Sequence, residues 1–392
     1  MIAVTVGTDR GDFVGAGNAA LQQAIEAVAA QGGGTVELLP GCYTLHNSVL
    51  LRSNVRLIGA GPDTVLRKAD GVASPLAIDA DYGQTKATVQ DASGFRAGQG
   101  VVVQDDRAGG WIATLATITS VQGNTLYMDR RFAMDYDSDR GGMVFTSFPL
   151  VAGFDLEGAS VEGLLAEGNR ANSLNINGCI GGGYYLHRAR RCRIADCVLR
   201  DFAGDGISFQ ITQDIVVERC DVSGVSSQGL HPGTGSARPI VRDCSFHHND
   251  HDGFFLCWRV QEGRFENNSF CDNGHFGICI GHKDTDNLFV GNVVRNNALH
   301  GICFRDEKPT NGGHRNTFRR NTIEDNGDCG VYVGGHTQDL CFEDNVIRDT
   351  RSGPARTQRI GLCVGEGATG IRAARNVIEN HLEADVKGHF GD

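Results

Sequence analysis

A short glycine-led phrase returns along the second half of the chain. It reads Asp205-Gly-Ile-Ser-Phe, Gln228-Gly-Leu-His, Asp252-Gly-Phe-Phe-Leu, Phe276-Gly-Ile-Cys-Ile, His300-Gly-Ile-Cys-Phe, Cys329-Gly-Val-Tyr-Val and Ile360-Gly-Leu-Cys-Val. Successive glycines lie 23, 24, 24, 24, 29 and 31 residues apart. A second column runs between them in the same period: Cys197, Cys220, Cys244, Asn268, Asn292, Asn321, Asn345 and Asn376. The pieces around it, such as "RIADCVLRDF", "IVRDCSFHHN" and "NLFVGNVVRNN", are too short for helices and alternate with period two. One such unit cannot bury its apolar face alone, whereas stacked units can.

A period near 24 with several short strands predicts an all-β chain wound as a right-handed parallel β-helix. Each coil then advances by the strand spacing, roughly 4.8 Å. The asparagine column predicts a ladder of side-chain amides, with cysteine standing in the same small inward pocket. The thirteen cysteines therefore read as packing residues and free thiols, since no tight CxxC pair suggests a structural zinc site. Free thiols favour a reducing compartment, and cytoplasmic is the expected location, with a secreted or periplasmic protein as the alternative.

The rest of the chain divides around this stack. Residues 17 to 31 place Leu21, Ile25 and Val28 at helical spacing before a Gly-Gly-Gly stop, which predicts a helix capping one end of the coil stack. Residues 1–73 are expected to hold this cap and the first coils. Residues 74–148 break the period with glycine-separated strands and predict a small antiparallel β insertion. Residues 149–392 are expected to form the main β-helix and its cleft. A net charge of −11 argues against a nucleic-acid partner, and no stretch is long and apolar enough for a membrane span.

Chemistry-bearing residues gather between 201 and 308. Asp205 and Asp252 hold equal repeat positions two coils apart, roughly 9.6 Å at the backbone. That is close to the about 6.5–9.5 Å separation of two carboxyl groups that admit a water in inverting glycoside hydrolysis. His231 lies on the coil between them, and Glu307 is the alternative acid. Trp258 offers a sugar-stacking face. Arg259, His282, Lys283, Asp284, His300 and Arg305 complete the expected glycan-binding set.

The phrase "NAALQQAIEAVAAQGGGTVELLPGCYTL", the following "NVRLIGAG" and the repeats to about residue 380 resemble the pectate-lyase-like superfamily of right-handed β-helices. That superfamily includes lyases, glycoside hydrolases, epimerases, esterases, fructotransferases and phage tailspikes. "GDGISF" around Asp205 is similar to an element of polygalacturonases. Asp252 in "HDGFFL" matches their acidic pair only in part and one coil late. "HFGICIGH" carries Phe276 where they carry histidine, and Arg305 supplies only the second of their two basic positions. The resemblance implies a carbohydrate-active enzyme, with a homo-oligomer, a trimer in several relatives, as one arrangement.

The reading favoured from the residues is a glycoside hydrolase using Asp205 and Asp252 on an oligosaccharide or polysaccharide, with no metal or other cofactor. The alternatives are a polysaccharide lyase, to which a calcium ion would belong, an intramolecular glycosyl or fructosyl transferase, and a non-catalytic glycan-binding β-helix.

Overall fold

The computed structural model describes residues 2–388. The chain forms two compact units. One comprises the chain to Leu186 together with Val198–Ser208, and the other His187–Cys197 and the chain from Phe209 onward.

In the first unit the helix Asn18–Ala29 buries Ala20, Leu21, Ala24, Ile25 and Val28, the one-sided stripe that its spacing requires. This face packs against the parallel strands Ile2–Gly7 and Gly34–Leu38. The stack continues through Val55–Lys68 and Ser160–Glu167 to Val198–Arg200, with every pairing parallel. Between its rungs the chain leaves to build a six-stranded antiparallel sheet from Ala73–Pro75 to Met143–Phe145. Val101, Val103, Leu126, Phe132, Tyr136 and Val144 fill the core of that insertion.

The second unit is the regular part. Each rung contributes three short parallel strands, one to each of three columns. The first column runs from Arg193–Ala195 to Arg372–Ala374 and the second from Asp221–Ser223 to Val377–Glu379. The third, led by the recurring glycines, runs from Leu230–Gly233 to Ala384–Gly388. A three-residue strand turns only its middle side chain inward. In the first column these middle residues include Phe265, Phe289, Phe318 and Phe342, all fully buried. Their rings follow one another from rung to rung with centroids 4.8, 4.5 and 5.1 Å apart, the first pair tilted and the other two stacked.

The expected amide ladder is present. Asn321 shows the pattern: its backbone N–H donates to Asn345 Oδ1 at 2.9 Å, its Nδ2 donates to the same oxygen at 2.9 Å, and Nδ2 also reaches Phe289 O at 3.0 Å. Asn268, Asn292 and Asn345 repeat it. Upstream the column changes to sulfur, and Cys220 N–H points at Cys244 Sγ, 3.4 Å away. All thirteen cysteines are free thiols. A second ladder, through Asn249, Asn273, Asn297, Asn326 and Gln358, lies one turn further along each rung.

Among the described residues, no helix is long and apolar enough to cross a membrane.

Candidate functional site

The third column of the second unit carries the candidate residues. Phe254, Ile278, Ile302 and Val331 pair in register and point inward. The alternate positions, Phe255, Cys279, Cys303 and Tyr332, stack on the other face. His231 precedes this row and meets the Phe255 ring edge-on at 5.3 Å. Period two makes these positions outward-facing, yet His231, Cys279 and Cys303 are buried. Part of their cover is Arg305. Its guanidinium lies 4.8 Å over the Phe255 ring, and Nη1 donates to Leu256 O at 3.1 Å and points at Cys279 Sγ at 3.3 Å. Gly281 makes room for this arm, because a Cβ there would stand 2.5 Å from Arg305 Nε.

Arg305 sits among acids. Its Nη2 is 3.6 Å from Asp284 Oδ2, and its Nε is 3.8 Å from Glu307 Oε1. Glu307 in turn accepts the His282 backbone N–H at 3.2 Å and lies 3.6 Å from His282 Nδ1. The His282 ring stacks on Trp258 at 4.5 Å. Trp258 and Arg259 both hold left-handed backbone, with φ of 75° and 62°, a conformation uncommon outside glycine. It leaves the indole 48% exposed. Arg259 is exposed beside it, its N–H donating to His282 O at 3.0 Å. Lys283, also left-handed, donates its N–H to Asn311 O at 2.8 Å.

Asp284 is fully buried, its Oδ1 accepting Val260 N–H at 2.9 Å and its Oδ2 accepting Gly281 N–H at 3.0 Å. Burial outweighs these donors and Arg305, and pushes the carboxyl up to about 7. Between about pH 4 and 7 the folded chain therefore holds a proton that the unfolded chain has released. Stability from this group is greatest below that window and declines as pH rises through it. Urea unfolding of Asp284→Asn alongside the parent should show the parent's advantage shrinking by a few kcal/mol across the window, and a pH-independent difference would contradict the assignment.

Asp252 belongs to a different group. Its side chain is 4% exposed, and Oδ1 lies 2.8 Å from His275 Nδ1 and accepts Phe276 N–H at 3.1 Å. This is the position of a carboxylate orienting an imidazole. The His251 ring lies 5.4 Å from that of His275. Sequence reasoning missed His275 because attention fell on the residue directly before each glycine. The signal was there one place earlier, as His251 and His275 are 24 residues apart. Phe276 stacks on His300 at 5.3 Å, and His300 on Tyr332 at 5.1 Å. His300 Nδ1 accepts Cys329 N–H at 3.2 Å, and burial lowers its pKa. Asp205 is buried in the first unit, its carbonyl accepting Gly183 N–H at 2.9 Å.

The structure thus brings Trp258, His282, Asp284, Arg305 and Glu307 together, sets Asp252 with His275, and sets His300 with Asp328 and Cys329. Among the described residues, His, Cys, Asp and Glu donors converge in threes at two places: His251, Asp252 and His275, and His300, Asp328 and Cys329. Both include nitrogen or sulfur, so neither is the oxygen cage that calcium takes.

The family model for the right-handed β-helix region matches residues 162–311. No curated protein sequence matches the chain. Among solved structures, the A-module of the mannuronan C-5 epimerase AlgE4 from Azotobacter vinelandii is similar, with a TM-score of 0.64 and 17% identity, covering 98% of this chain and 96% of that one. The A-module of AlgE6, a mannuronan C-5 epimerase of the same organism, gives a TM-score of 0.59 at 17% identity, covering 95% and 94%. The Dettilon tailspike protein gives 0.59 at 12% identity, covering 94% of this chain and 64% of the tailspike. The chain is an all-β right-handed parallel β-helix with an N-terminal helix and an antiparallel β insertion.

Proposed function

We propose that the protein acts on a uronate-containing polysaccharide by removing the proton beside the sugar carboxylate, the chemistry shared by C-5 epimerases and polysaccharide lyases. The observation that carries this reading is Arg305, held over Phe255 and on Leu256 O with its Nε 3.8 Å from Glu307, which pairs with the His282 ring stacked on the exposed Trp258. A guanidinium suits a carboxylate whose charge grows as the neighbouring C–H bond breaks. Trp258 supplies a face for a pyranose ring. The His282–Glu307 pair supplies the base.

The proton passes from C-5 to that base, and the electron pair delocalises into the carboxylate. Returning a proton to the opposite face inverts C-5. Expelling the C-4 oxygen with the electron pair, and protonating it, cleaves the chain and leaves an unsaturated end. The two similar epimerases are named for a polyuronate and for reaction at C-5, which supports this choice over hydrolysis. The hydrolytic reading needs Asp252 as a free acid or base, whereas its Oδ1 is engaged by His275 and Phe276.

The test is a panel of mannuronate, guluronate and galacturonate polymers in deuterated water. Deuterium at C-5 with inverted configuration marks an epimerase, and ultraviolet absorbance of unsaturated uronate marks a lyase. New reducing ends without unsaturation would replace this reading with hydrolysis.

A further inference from the structure

We propose that His251, Asp252 and His275 bind one first-row transition-metal ion, zinc in kind, through two imidazoles and a carboxylate. One ligand atom from each residue lies within 4.8 Å of the other two. His251 and His275 occupy the same position on successive rungs, so their spacing is set by the strand separation of about 4.8 Å. Zinc bonds of roughly 2.0–2.2 Å place tetrahedral ligand atoms about 3.4 Å apart. Ligand atoms at that outer limit must therefore close by up to about 1.4 Å, while the 2.8 Å His275–Asp252 pair opens slightly.

The means of closing it are in place. Asp252 is buried and oriented by the Phe276 N–H, so the carboxylate is the fixed member. His275 is already 2.8 Å from it. His251 is exposed and turns about its side-chain bonds without disturbing the core. A metal replaces the proton now shared by His275 and Asp252, and Asp252 keeps its second oxygen for a further bond. Two nitrogen donors select against calcium and magnesium, which prefer oxygen. Three protein ligands leave a fourth position for water or a substrate oxygen, as in catalytic zinc sites. The other convergent set is a weaker match. The His300 nitrogen nearest Asp328 already accepts the Cys329 N–H, and burial and the Asp328 charge hold the Cys329 thiol well above its usual pKa.

Cobalt(II) titration of the full chain, read by its visible d–d absorption, tests the site without any assay of activity. The expected result is saturation at one equivalent, reversed by zinc, with His251→Ala and His275→Ala each weakening binding at least tenfold. Asp252→Asn should weaken it comparably, with near-ultraviolet circular dichroism confirming the fold. His247→Ala, which alters a neighbouring histidine outside the cluster, and Cys329→Ser should leave binding unchanged. Failure to saturate at one equivalent, or binding that survives in the His251→Ala/His275→Ala double variant, would overturn the proposal. So would a thiolate-to-cobalt absorption band abolished by Cys329→Ser, which would place the ion at the other cluster.

Discussion

Replacing Arg305 with methionine should lower kcat/KM on a uronate polymer by about 100-fold or more, the scale on which one charge-stabilising donor acts in a developing anion. Methionine retains much of the side-chain length over Phe255 and Cys279 while removing the charge. Arg305→Lys separates the contributions further. It keeps a cation but gives up the planar fork and the stack on Phe255, so it should recover only part of the loss. Steady-state rates on the best polymer of the panel, with near-ultraviolet circular dichroism as the control for folding, provide the measurement. A folded Arg305→Met variant with near-parental kcat/KM would remove Arg305 from the chemistry. Glu307→Gln offers an independent check, since it takes away the anionic partner of His282 without shortening the side chain.

The largest effect on stability is expected in the ladder. Asn321→Ala strips the acceptor from the Asn292 N–H and side-chain amide and the donor from Phe289 O, all within a buried column. Each buried group left without a partner costs about 1–3 kcal/mol, so the variant should lose roughly 3–5 kcal/mol in urea unfolding. The upstream column supplies its own comparison, because Cys244 receives the Cys220 N–H in the equivalent slot. Asn321→Cys should therefore be less damaging than Asn321→Ala. Equal losses for the two would mean that sulfur is only a filler there.

The coil stack was legible because its signals repeat. One glycine-led phrase is weak, but seven in phase leave few alternatives, and the column from Cys197 to Asn376 announces the ladder in the sequence itself. The second ladder was harder to read because its members change from asparagine to Gln358 and His381, which fill the same place with a different reach. The cleft was legible only as a composition. Trp258, His282, Arg305 and Glu307 could be listed together, but period two alone set Cys279 and Cys303 facing outward without showing what covers them. It could not show that Arg305 folds back from a later rung to cover Phe255 and Cys279. Nor could it separate Asp284, drawn inward by two backbone amides, from its exposed neighbour Asp286. Sequence gives the direction of a strand residue, whereas side-chain reach across rungs is a three-dimensional property.

The repeat also has a break, and its position matters. Ile278 pairs with Ile302, 24 residues on, but Ile302 pairs with Val331, 29 residues on. The ladder absorbs the difference without losing a bond, as Asn292 still meets Asn321. The surplus emerges in the loop after Phe304, the segment that brings Glu307 back to His282 and Asn311 back to Lys283. Pitch and chemistry are thereby assigned to different parts of the rung. The amide columns meter the rise, and the loop at the end of the glycine-led strand is free to grow. Such a protein can acquire a new specificity by lengthening a single loop while every rung keeps its neighbours, so the scaffold is insulated from changes in what it recognises.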